Sequence, residues 1–566
     1  MSLSFTQEQQ AIFDFVKNGQ SHGIINAVAG AGKTTTIIES ARFVDSSKAI
    51  LFCAFNKSIA TEIGLRFQQR NMNNVIVKTI HALGYQILQT YNNRGLPLTL
   101  EDKKYKELLN SPELRILLQP LYEKIIQING LSVDSLDDRQ KFAVKNLIVS
   151  IDQRLLDANQ KYRSTLTKDT LVDFKELVLH FGIFNNIESQ KADFDKELSI
   201  YHQCHTILLD AGNNFSRNTM KIDFTDMIYL PFKWSLSPAT KYDFLFIDEC
   251  QDLSKAQFAV AAKYVKSGGR VLAVGDPQQS IYGFTGADIK SFDTVKEYTK
   301  AKLLPLTTCF RCPQQMIELA RQFRPDITGS KKEPGIVTII LFPKITELAK
   351  PGDLIISRIK APLVVLVFDF IDREMKVKIH EDEVQDIINE LKNIFKHGEL
   401  NVNISTLSNG FESIRKDVLK RWDWIIKQNS ERIKDSTERK LYVESEKIYL
   451  EKRIDFLNRK YEQWKKECPS ILTILQKIKH YISATDNPIK LSTIHRAKGL
   501  ENDRVFIINY NELPMMKADQ KEWEKIQESN LKYVAVTRPL NTLFLVESVK
   551  IDTLMEEGSL FDELPF

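Results

Sequence analysis

The stretch Ala27-Val28-Ala29-Gly30-Ala31-Gly32-Lys33-Thr34 decides the fold, because its context is that of a phosphate-binding loop. The apolar run Gly23-Ile24-Ile25-Asn26 comes directly before it and predicts a short buried strand. Residues 35–41 follow it and predict a helix. A strand, a loop of small residues, Gly-Lys-Thr and a helix thus succeed one another, which predicts a site for a nucleotide phosphate. A glycine-rich turn before a helix is the alternative interpretation.

Each part of this loop has a chemical task in phosphate binding. Backbone N–H groups of such a loop converge on an anion, and the start of the helix adds positive partial charge. Lys33 adds a full charge, and the hydroxyl of Thr34 is a ligand for Mg²⁺. The general pattern begins with glycine where this sequence has Ala27, which a backbone with negative φ tolerates. The predicted nucleotide contacts are Ala29, Gly30, Ala31, Gly32, Lys33, Thr34 and Thr35.

The composition of the chain indicates a globular protein of several domains. Its 566 residues suffice for about three or four domains, and 43% of them are hydrophobic and 27% charged. The six cysteines are too few for a disulfide scaffold and favour a reducing compartment. We see neither a secretory signal nor an apolar run of the ~18 residues that a membrane span needs. We therefore expect a cytoplasmic (nucleoid) or nuclear protein with no membrane contact. The net charge of +5 permits nucleic-acid binding without arguing for it.

Strand and helix signals divide the chain into four regions. Two regions alternate short apolar runs with helical stretches, which predicts parallel α/β sheets. Each is interrupted by a region with apolar residues at helical spacing, which predicts a helical insertion. In the first insertion we expect helices over Glu101–Ile128, Arg139–Leu156 and Thr170–Phe181. The expected bounds are 1–90 and 216–300 for the first α/β domain, 91–215 for its insertion, 301–370 and 488–566 for the second α/β domain, and 371–487 for its insertion.

The second insertion is expected to contain a long helix with one apolar face. No glycine or proline occurs between Gly410 and Pro469, and apolar residues recur there at steps of three and four. Such a face is usually buried in a core, so core packing is favoured over a groove for a cofactor or partner. The residues of this face are Leu450, Ile454, Leu457, Tyr461, Trp464 and Cys468.

Acidic and amide side chains follow two further buried strands. Asp248 comes directly after one apolar run and is suited to hold Mg²⁺ through its water shell. Its neighbour Glu249 is suited to take a proton from an attacking water. Gln279 follows the next run, and an uncharged amide suits the sensing of a γ-phosphate. Tyr282 and Phe284 suit stacking on an exposed base, with simple packing as the alternative for both rings and above all for Tyr282.

Two arginines lie far from the phosphate loop in the sequence. Arg311 and Arg538 carry planar guanidinium groups, which suit the charge on a transferring phosphoryl group. Supplied from a second domain, such an arginine contributes roughly 10³–10⁵ in rate. ATP would then join the two α/β domains. A surface position is the alternative for each, because spacing alone does not single them out.

The order of these motifs resembles that of the UvrD/Rep-type DNA helicases of superfamily 1A. The phosphate loop is similar to the family's form, with alanine in first place, and Asp248-Glu249-Cys250-Gln251-Asp252 has its D-E-x-Q-D form. Residues 491–501 and 533–538 are similar to its fifth and sixth motifs. The resemblance extends from residue 5 to about 540. It implies two RecA-like motor domains, 1A and 2A, with helical insertions 1B and 2B.

The resemblance also implies roles for single residues, with ATP and Mg²⁺ as cofactors. Gln9 would read the adenine and Phe310 would stack on it. Gln279 would sense the γ-phosphate, and Arg311 and Arg538 would contact it. Glu501, within the fifth motif, is also assigned to the nucleotide site. The nucleic-acid contacts assigned from the motifs are Phe55, Asn56, Thr79, His81, Tyr282, Phe284, Arg358, Thr493 and His495.

The function implied is that of an ATP-dependent motor on single-stranded DNA. We expect translocation with 3′→5′ polarity and unwinding of tailed duplexes in replication, repair or recombination. Only Pro539–Phe566 follow Arg538, so we expect the family's duplex-splitting hairpin to be reduced or missing. Alternatives are a translocase that displaces proteins without unwinding, and a P-loop ATPase or kinase for a small molecule. RNA remains open as a substrate, because base stacking does not detect the 2′-hydroxyl.

The last residues suggest a partner. Residues 561–566, Phe-Asp-Glu-Leu-Pro-Phe, are similar to the acidic C-terminal tip of bacterial single-strand-binding proteins. The hypothesis is that they dock into a replication or repair protein, with a frayed terminus as the alternative.

Overall fold

The computed structural model describes residues 4–92, 95–128, 138–183, 191–283, 290–430, 436–517 and 520–548. The chain forms two compact units, each with a parallel sheet of six strands, which confirms the expected α/β fold class. The first unit comprises Met1–Phe310, Asp326–Thr328 and Met516–Asn530, and the second comprises Arg311–Pro325, Gly329–Met515 and Leu531–Phe566.

The first sheet is built from short apolar runs whose central strands are buried. Ile24, Ile25, Leu51 and Phe52 have no exposed surface, as expected where helices cover both faces of a parallel sheet. Because the strands are parallel, their carboxyl ends lie along one edge, where ligands of open α/β sheets bind. The strands in spatial order are Val75–Thr79, Ile50–Ala54, Tyr242–Ile247, Val265–Gly275, Gly23–Ala27 and Lys302–Leu306.

Three segments of the first unit differ from the expected domain bounds. The strand Lys302–Leu306 pairs in parallel with Gly23–Ala27, so the first sheet continues past the boundary expected at residue 301. Asp326–Thr328 and Met516–Asn530, both expected in the second α/β domain, belong to the first unit as well. These differences arise from long-range contacts, which local periodicity does not report.

The helices of the first unit connect its strands or belong to the first insertion. The stretch expected to be helical over Glu101–Ile128 contains two helices, and the second starts at Pro112, where proline fits a first helical turn. A short parallel pair, Thr99–Leu100 with Lys221–Ile222, flanks the insertion. The helices are Gln7–Asn18, Lys33–Ser40, Lys57–Gln69, Ile80–Tyr91, Lys104–Leu108, Pro112–Ile128, Asp138–Thr165, Leu171–His180, Lys191–Thr219, Asp226–Lys233, Lys255–Ala262 and Ser291–Thr299.

The second sheet repeats the parallel architecture. Its inner strands are again apolar and buried, with Ile355, Ile356, Phe506 and Ile507 fully covered. The strands in spatial order are Ile336–Leu341, Pro539–Glu547, Asn502–Ile507, Leu354–Ser357, Ile489–Thr493 and Val377–Lys378.

The apolar face expected in the second insertion is buried in one hydrophobic core, together with residues of the second sheet. Its helix runs from Ser436 to Trp464, so Cys468 joins the core from beyond the helix end. Within the described residues no helix combines the length and apolarity needed to cross a bilayer.

The α-helices of the second unit include one that is shared with the first unit, Glu522–Val536. The others are Gln314–Ala320, Ile345–Leu348, Ala361–Asp372, Glu381–Asn393, His397–Leu400, Phe411–Ser430, Ser436–Trp464 and Ile471–Ile482.

Candidate nucleotide and nucleic-acid site

The phosphate loop lies at the carboxyl end of the strand Gly23–Ala27 and leads into the helix Lys33–Ser40. Gly30 and Gly32 have φ values of 67° and 75°, a left-handed conformation that favours glycine. Ala27 is the last residue of the strand, so its backbone is extended, as an alanine at this position requires. Gly32 precedes the helix and has no side chain to cap it, so the helix start is suited to accept an anion.

Two contacts join the phosphate loop to the acids that follow the strand Tyr242–Ile247. The hydroxyl of Thr34 donates to Oδ2 of Asp248 at 2.8 Å. Nζ of Lys33 lies 3.7 Å from Oε1 of Glu249. The structure thus brings together both predicted Mg²⁺ ligands, and an aliphatic hydroxyl with a carboxylate is an oxygen donor set that Mg²⁺ accepts. We call Lys33, Thr34, Asp248 and Glu249 the phosphate-loop cluster.

The two acids of the cluster differ in environment. Burial, followed by the charge of Glu249, raises the pKa of Asp248 from 3.8 to about 7. A bound divalent cation would oppose both effects, because it favours the ionised carboxylate. Glu249 has a φ of 53°, which is uncommon for a residue other than glycine, and Gln251 Nε2 donates to its Oε2 at 2.6 Å. The backbone turn and this bond fix the direction of the predicted general base.

Gln279 lies in a turn that is hydrogen-bonded to the same acidic segment. Its Nε2 donates to Oδ2 of Asp276 at 2.9 Å, and the backbone N–H of Asp276 donates to Oε1 of Gln251 at 3.1 Å. A side chain at Gly275 would lie 2.5 Å from Oε1 of Gln251, so this approach requires glycine. We call residues 276–283 the sensor turn. Gln279 thus contacts Asp276, which in turn contacts Gln251 in the segment that carries Glu249.

Gln9 and Phe310, the predicted adenine contacts, both lie beside the phosphate loop or its helix. Nε2 of Gln9 donates to Oγ1 of Thr36 at 3.0 Å, and its Oε1 accepts from the backbone of Thr6 at 3.0 Å. The backbone N–H of Phe310 donates to the carbonyl of Gly30 at 2.9 Å, while its ring is 40% exposed. Their contacts with adenine stay predictions.

Three further predicted residues lie close together in the second unit. Nε of Arg311 donates to Oε2 of Glu501 at 2.7 Å. Arg538 is 1% exposed, and its guanidinium donates to the carbonyls of Val534 at 2.9 Å and Leu500 at 3.0 Å. We call Arg311, Glu501 and Arg538 the arginine cluster. The two arginines are linked through adjacent residues, because Arg538 contacts Leu500 and Arg311 contacts Glu501, the next residue in the chain.

Two aromatic pairs lie near the carboxyl edge of the first sheet. The rings of Phe55 and Tyr282 are parallel within 17°, with centroids 6.2 Å apart, and Phe55 is 42% exposed. His81 stacks on Phe224 with centroids 4.1 Å apart. Phe55, His81 and Asp248 line one cavity, so the predicted nucleic-acid contacts adjoin the predicted Mg²⁺ ligand.

Phe224 is a candidate that the sequence reasoning did not single out. It is 55% exposed, although it lies between the half-buried Asp223 and the buried Asp226. Arg163 pairs with Asp223 at 2.7 Å and with Asp226 at 2.9 Å, and Lys104 also contacts Asp226. The signal available was an aromatic residue in an acidic segment, but the cations come from the distant insertion and have no local pattern.

Asn56 and Thr79 have a local structural role that explains their residue types. Oδ1 of Asn56 accepts from the backbone of Ile59 at 2.9 Å, and Oγ1 of Thr79 accepts from Ala82 at 3.3 Å. Each therefore caps the N-terminus of a helix. Their predicted contacts with nucleic acid stay predictions, and Phe284 and residues 561–566 lie outside the described residues.

The second unit brings its three predicted nucleic-acid contacts to neighbouring strand ends. The backbone N–H of Ile494 donates to the carbonyl of Ser357 at 2.8 Å, which places residues 493–495 beside Arg358. Burial, followed by the charge of Arg358, lowers the pKa of His495 to about 4. Burial likewise lowers the pKa of His81 to about 4. Both histidines are therefore neutral near pH 7.

Several known proteins similar to this chain are named DNA helicases. The family described as the UvrD/REP helicase N-terminal domain matches residues 6–300. F-box DNA helicase 1 of Gallus gallus is 24% identical over 577 residues, which cover 97% of this chain and 49% of that protein. A probable DNA helicase of Mycoplasma pneumoniae is 21% identical, with 97% of this chain and 84% of that protein covered. ATP-dependent DNA helicase PcrA of Staphylococcus aureus is 26% identical over 34% of this chain and 28% of that protein.

The chain spans about half of the length of the Gallus gallus protein. The family match covers more than half of the chain and includes the phosphate loop, the acidic pair and the sensor turn. The chain therefore belongs to the UvrD/Rep helicase family.

Proposed function

We propose that this protein is an ATP-dependent translocase on single-stranded DNA that moves 3′→5′ and unwinds tailed duplexes. The observation that carries the proposal is the phosphate-loop cluster, in which Thr34 contacts Asp248 and Lys33 contacts Glu249. Relatives named DNA helicases support DNA as the substrate. We place the protein where DNA is handled, in the cytoplasm (nucleoid) or the nucleus, in replication, repair or recombination.

The residues of the phosphate-loop cluster have different roles in ATP hydrolysis. The loop N–H groups and Lys33 bind the phosphates, and Thr34 and Asp248 are the residues that would hold Mg²⁺. That cation would supply neutralisation of charge on the phosphate oxygens. Glu249 accepts the proton of the attacking water, and its bond with Gln251 orients the carboxylate for this step. Nζ of Lys33 lies 3.7 Å from Oε1 of Glu249, so the phosphate-binding lysine and the proton acceptor are neighbours.

The remaining ATP contacts respond to the γ-phosphate. Gln279 would orient the attacking water or donate to a γ-phosphate oxygen, since its amide carries both donor and acceptor groups. Arg311 and Arg538, from the second unit, would stabilise the charge that develops on the transferring phosphoryl group. For this task Arg538 must exchange carbonyl acceptors for phosphate oxygens, which are stronger acceptors for a guanidinium.

In the first unit, the residues proposed to bind nucleic acid do so by stacking of aromatic rings on bases more than by charge. Phe55 and Phe224 offer exposed aromatic surface, and each already stacks on a neighbouring ring. His81 is neutral near pH 7, so it offers a ring face or a hydrogen bond and no charge to phosphate. Base stacking of this kind tolerates every sequence, as a translocase requires. Arg358 supplies a positive charge for the backbone in the second unit.

One experiment tests the proposal and separates its alternatives. ATP hydrolysis is measured with no nucleic acid, single-stranded DNA and single-stranded RNA, together with unwinding of duplexes that carry a 3′ or a 5′ tail. We expect hydrolysis stimulated by DNA and unwinding of the 3′-tailed duplex. Stimulation without unwinding of either duplex would indicate a translocase that only displaces proteins. Hydrolysis indifferent to nucleic acid would contradict the proposal and favour a small-molecule substrate.

The C-terminal residues carry a separate hypothesis about partners. Residues 561–566 would dock into a single-strand-binding protein or another replication or repair protein. Their deletion should then abolish capture of that partner in a pull-down while ATP hydrolysis stays unchanged. Equal capture by the full and the shortened chain would remove the hypothesis.

A further inference from the structure

The sensor turn is held from outside by two amide side chains of the helix Glu522–Val536. Nδ2 of Asn530 donates to the carbonyl of Ser280 at 2.8 Å and to that of Pro277 at 3.3 Å. Oε1 of Gln527 accepts from the backbone N–H of Gly283 at 3.1 Å. These contacts lie within the first unit, which includes Met516–Asn530.

Both amides are buried, so water does not readily replace their hydrogen bonds with the turn. Asn530 is 5% exposed and Gln527 is 7% exposed. The amide nitrogen of asparagine has two hydrogens, which is one for each carbonyl of the turn. A buried carbonyl that loses its donor carries the full cost of desolvation, so the turn is most stable where Asn530 holds it.

Trp523 fixes the position of the helix that carries these amides. Its Nε1 donates to the carbonyl of His180 at 2.6 Å, and its ring stacks on the imidazole of His180 with centroids 5.6 Å apart. A side chain at Gly283 would lie 3.1 Å from both Trp523 and Gln527, so the turn approaches the helix closely. The helix is therefore a fixed support beside the turn.

A continuous series of contacts links this support to the predicted general base. Lys33 lies 3.7 Å from Glu249, and Glu249 accepts from Gln251 at 2.6 Å. The backbone carbonyl of Gln251 accepts from the hydroxyl of Ser280 at 3.2 Å. The carbonyl of Ser280 then accepts from Asn530. The sensor turn is thus bonded on one side to the segment of Glu249 and on the other to the helix.

We propose that Asn530 is a positioning residue for ATP hydrolysis, which fixes the sensor turn so that Gln279 keeps a productive direction. Gln279 directly precedes Ser280 and follows Gln278 and Pro277, so the two carbonyls that Asn530 holds bracket it. Asn530 acts through the backbone of the turn, by its bonds with the carbonyls of Pro277 and Ser280. The proposal rests on the ATPase function proposed above and names a residue that supports its γ-phosphate sensor.

The variant Asn530→Asp tests this role, because it keeps the shape of the side chain while a carboxylate cannot donate to the two carbonyls. We expect kcat for ATP in the presence of single-stranded DNA to fall at least about tenfold, because small misplacement of a catalytic group is costly. KM for ATP should change by less than about twofold, since the phosphate loop is untouched. Hydrogen exchange of the Ser280 and Gly283 amides should become faster, with no change in the strand Gly23–Ala27.

The matched control is Gln527→Glu, which adds the same charge to the same helix but keeps an oxygen to accept from Gly283. It should hold kcat within about twofold of the original protein. A normal kcat in the Asn530→Asp variant would overturn the proposal. So would an equal loss in kcat and nucleotide binding together with global unfolding, since that result would indicate a purely structural residue. Absence of ATP hydrolysis in the unaltered protein would instead contradict the proposed function itself, and the positioning role with it.

Discussion

The phosphate-loop cluster and the arginine cluster contain the charged residues predicted for one reaction, but their present partners differ. In the first unit, Lys33 and Thr34 contact Glu249 and Asp248, so the predicted functional groups contact one another. In the second unit, Arg538 donates to backbone carbonyls and is almost fully buried. Arg311 resembles the residues of the first cluster in this respect, because its partner Glu501 is itself a predicted nucleotide contact.

The difference separates predicted functional groups that contact one another from a predicted functional group that is bonded to the backbone of its own unit. A lysine beside a carboxylate and a hydroxyl beside a carboxylate need only small changes when phosphate and a cation enter. An arginine that donates to carbonyls supports its own unit first, and its catalytic task requires an exchange of acceptors. We therefore expect substitution of Glu249 to affect chemistry with little change in stability, and substitution of Arg538 to affect chemistry and stability.

The largest expected effect follows from Arg538→Ala. Loss of this guanidinium should lower kcat for ATP hydrolysis by roughly 10³–10⁵, because an arginine finger stabilises charge in the transition state. The free energy of unfolding should fall by about 1–3 kcal/mol, since the carbonyls of Leu500 and Val534 lose a buried donor. ATPase assays with single-stranded DNA and urea unfolding measure the two effects.

Arg311→Ala is the matched variant within the arginine cluster. Its ion pair with the half-exposed Glu501 should contribute only about 0–1 kcal/mol, so kcat should fall while stability stays nearly unchanged. If Arg538→Ala left ATP hydrolysis intact, the arginine would be structural, and the comparison between the two clusters would fail.

Glu249→Gln should separate nucleotide binding from chemistry. The amide keeps the size of the side chain but cannot accept the proton of the attacking water. We expect kcat to fall by roughly 10²–10⁴, with binding of ATP retained. Single-turnover hydrolysis and fluorescent-nucleotide binding measure these quantities. Hydrolysis at the normal rate would show that Glu249 is not the base.

Phe55→Ala should weaken binding of single-stranded DNA. A stacked aromatic ring contributes about 1–3 kcal/mol per base, so we expect a loss of that size at constant salt. Phe43→Ala is the control, because Phe43 is similarly exposed at 38% and stacks on Phe13 in the same unit. Equal DNA affinity in both variants would remove Phe55 from the nucleic-acid site.

The smallest expected effect is a pH dependence of Mg²⁺ binding. The pKa of Asp248 is raised from 3.8 to about 7, so the folded protein without cation binds more protons than the unfolded chain between these values. The contribution of Asp248 to stability is therefore favourable below this window and falls as pH rises through it. Mg²⁺ requires the ionised carboxylate, so its apparent affinity should decrease about tenfold per pH unit below pH 7.

Asp248→Asn is the control for this titration, because the amide does not ionise. Calorimetry of Mg²⁺ with a bound nucleotide should show weaker binding and a flat pH profile for the variant. A steep profile that persists in Asp248→Asn would assign the proton to another group.

The proximity of the residues in the phosphate-loop cluster is predictable from the sequence, because they follow parallel strands whose carboxyl ends share one edge. The loop glycines, the short buried strands and the buried face of the long helix also have local patterns. The membership of Lys302–Leu306 and Met516–Asn530 in the first unit has no local signal, since strand pairing and helix docking over long separations leave no periodicity in the sequence. The role of Asn530 has no local signal either, because its bonds with the sensor turn span 250 and 253 residues.

The central claim is that the phosphate-loop cluster hydrolyses ATP in response to single-stranded DNA. The most direct test compares the ATPase rate of the unaltered protein and of Lys33→Ala, each with and without single-stranded DNA. We predict strong stimulation by DNA in the unaltered protein and no detectable hydrolysis in the variant under either condition. Hydrolysis that survives in Lys33→Ala, or that DNA does not change in the unaltered protein, would contradict the claim.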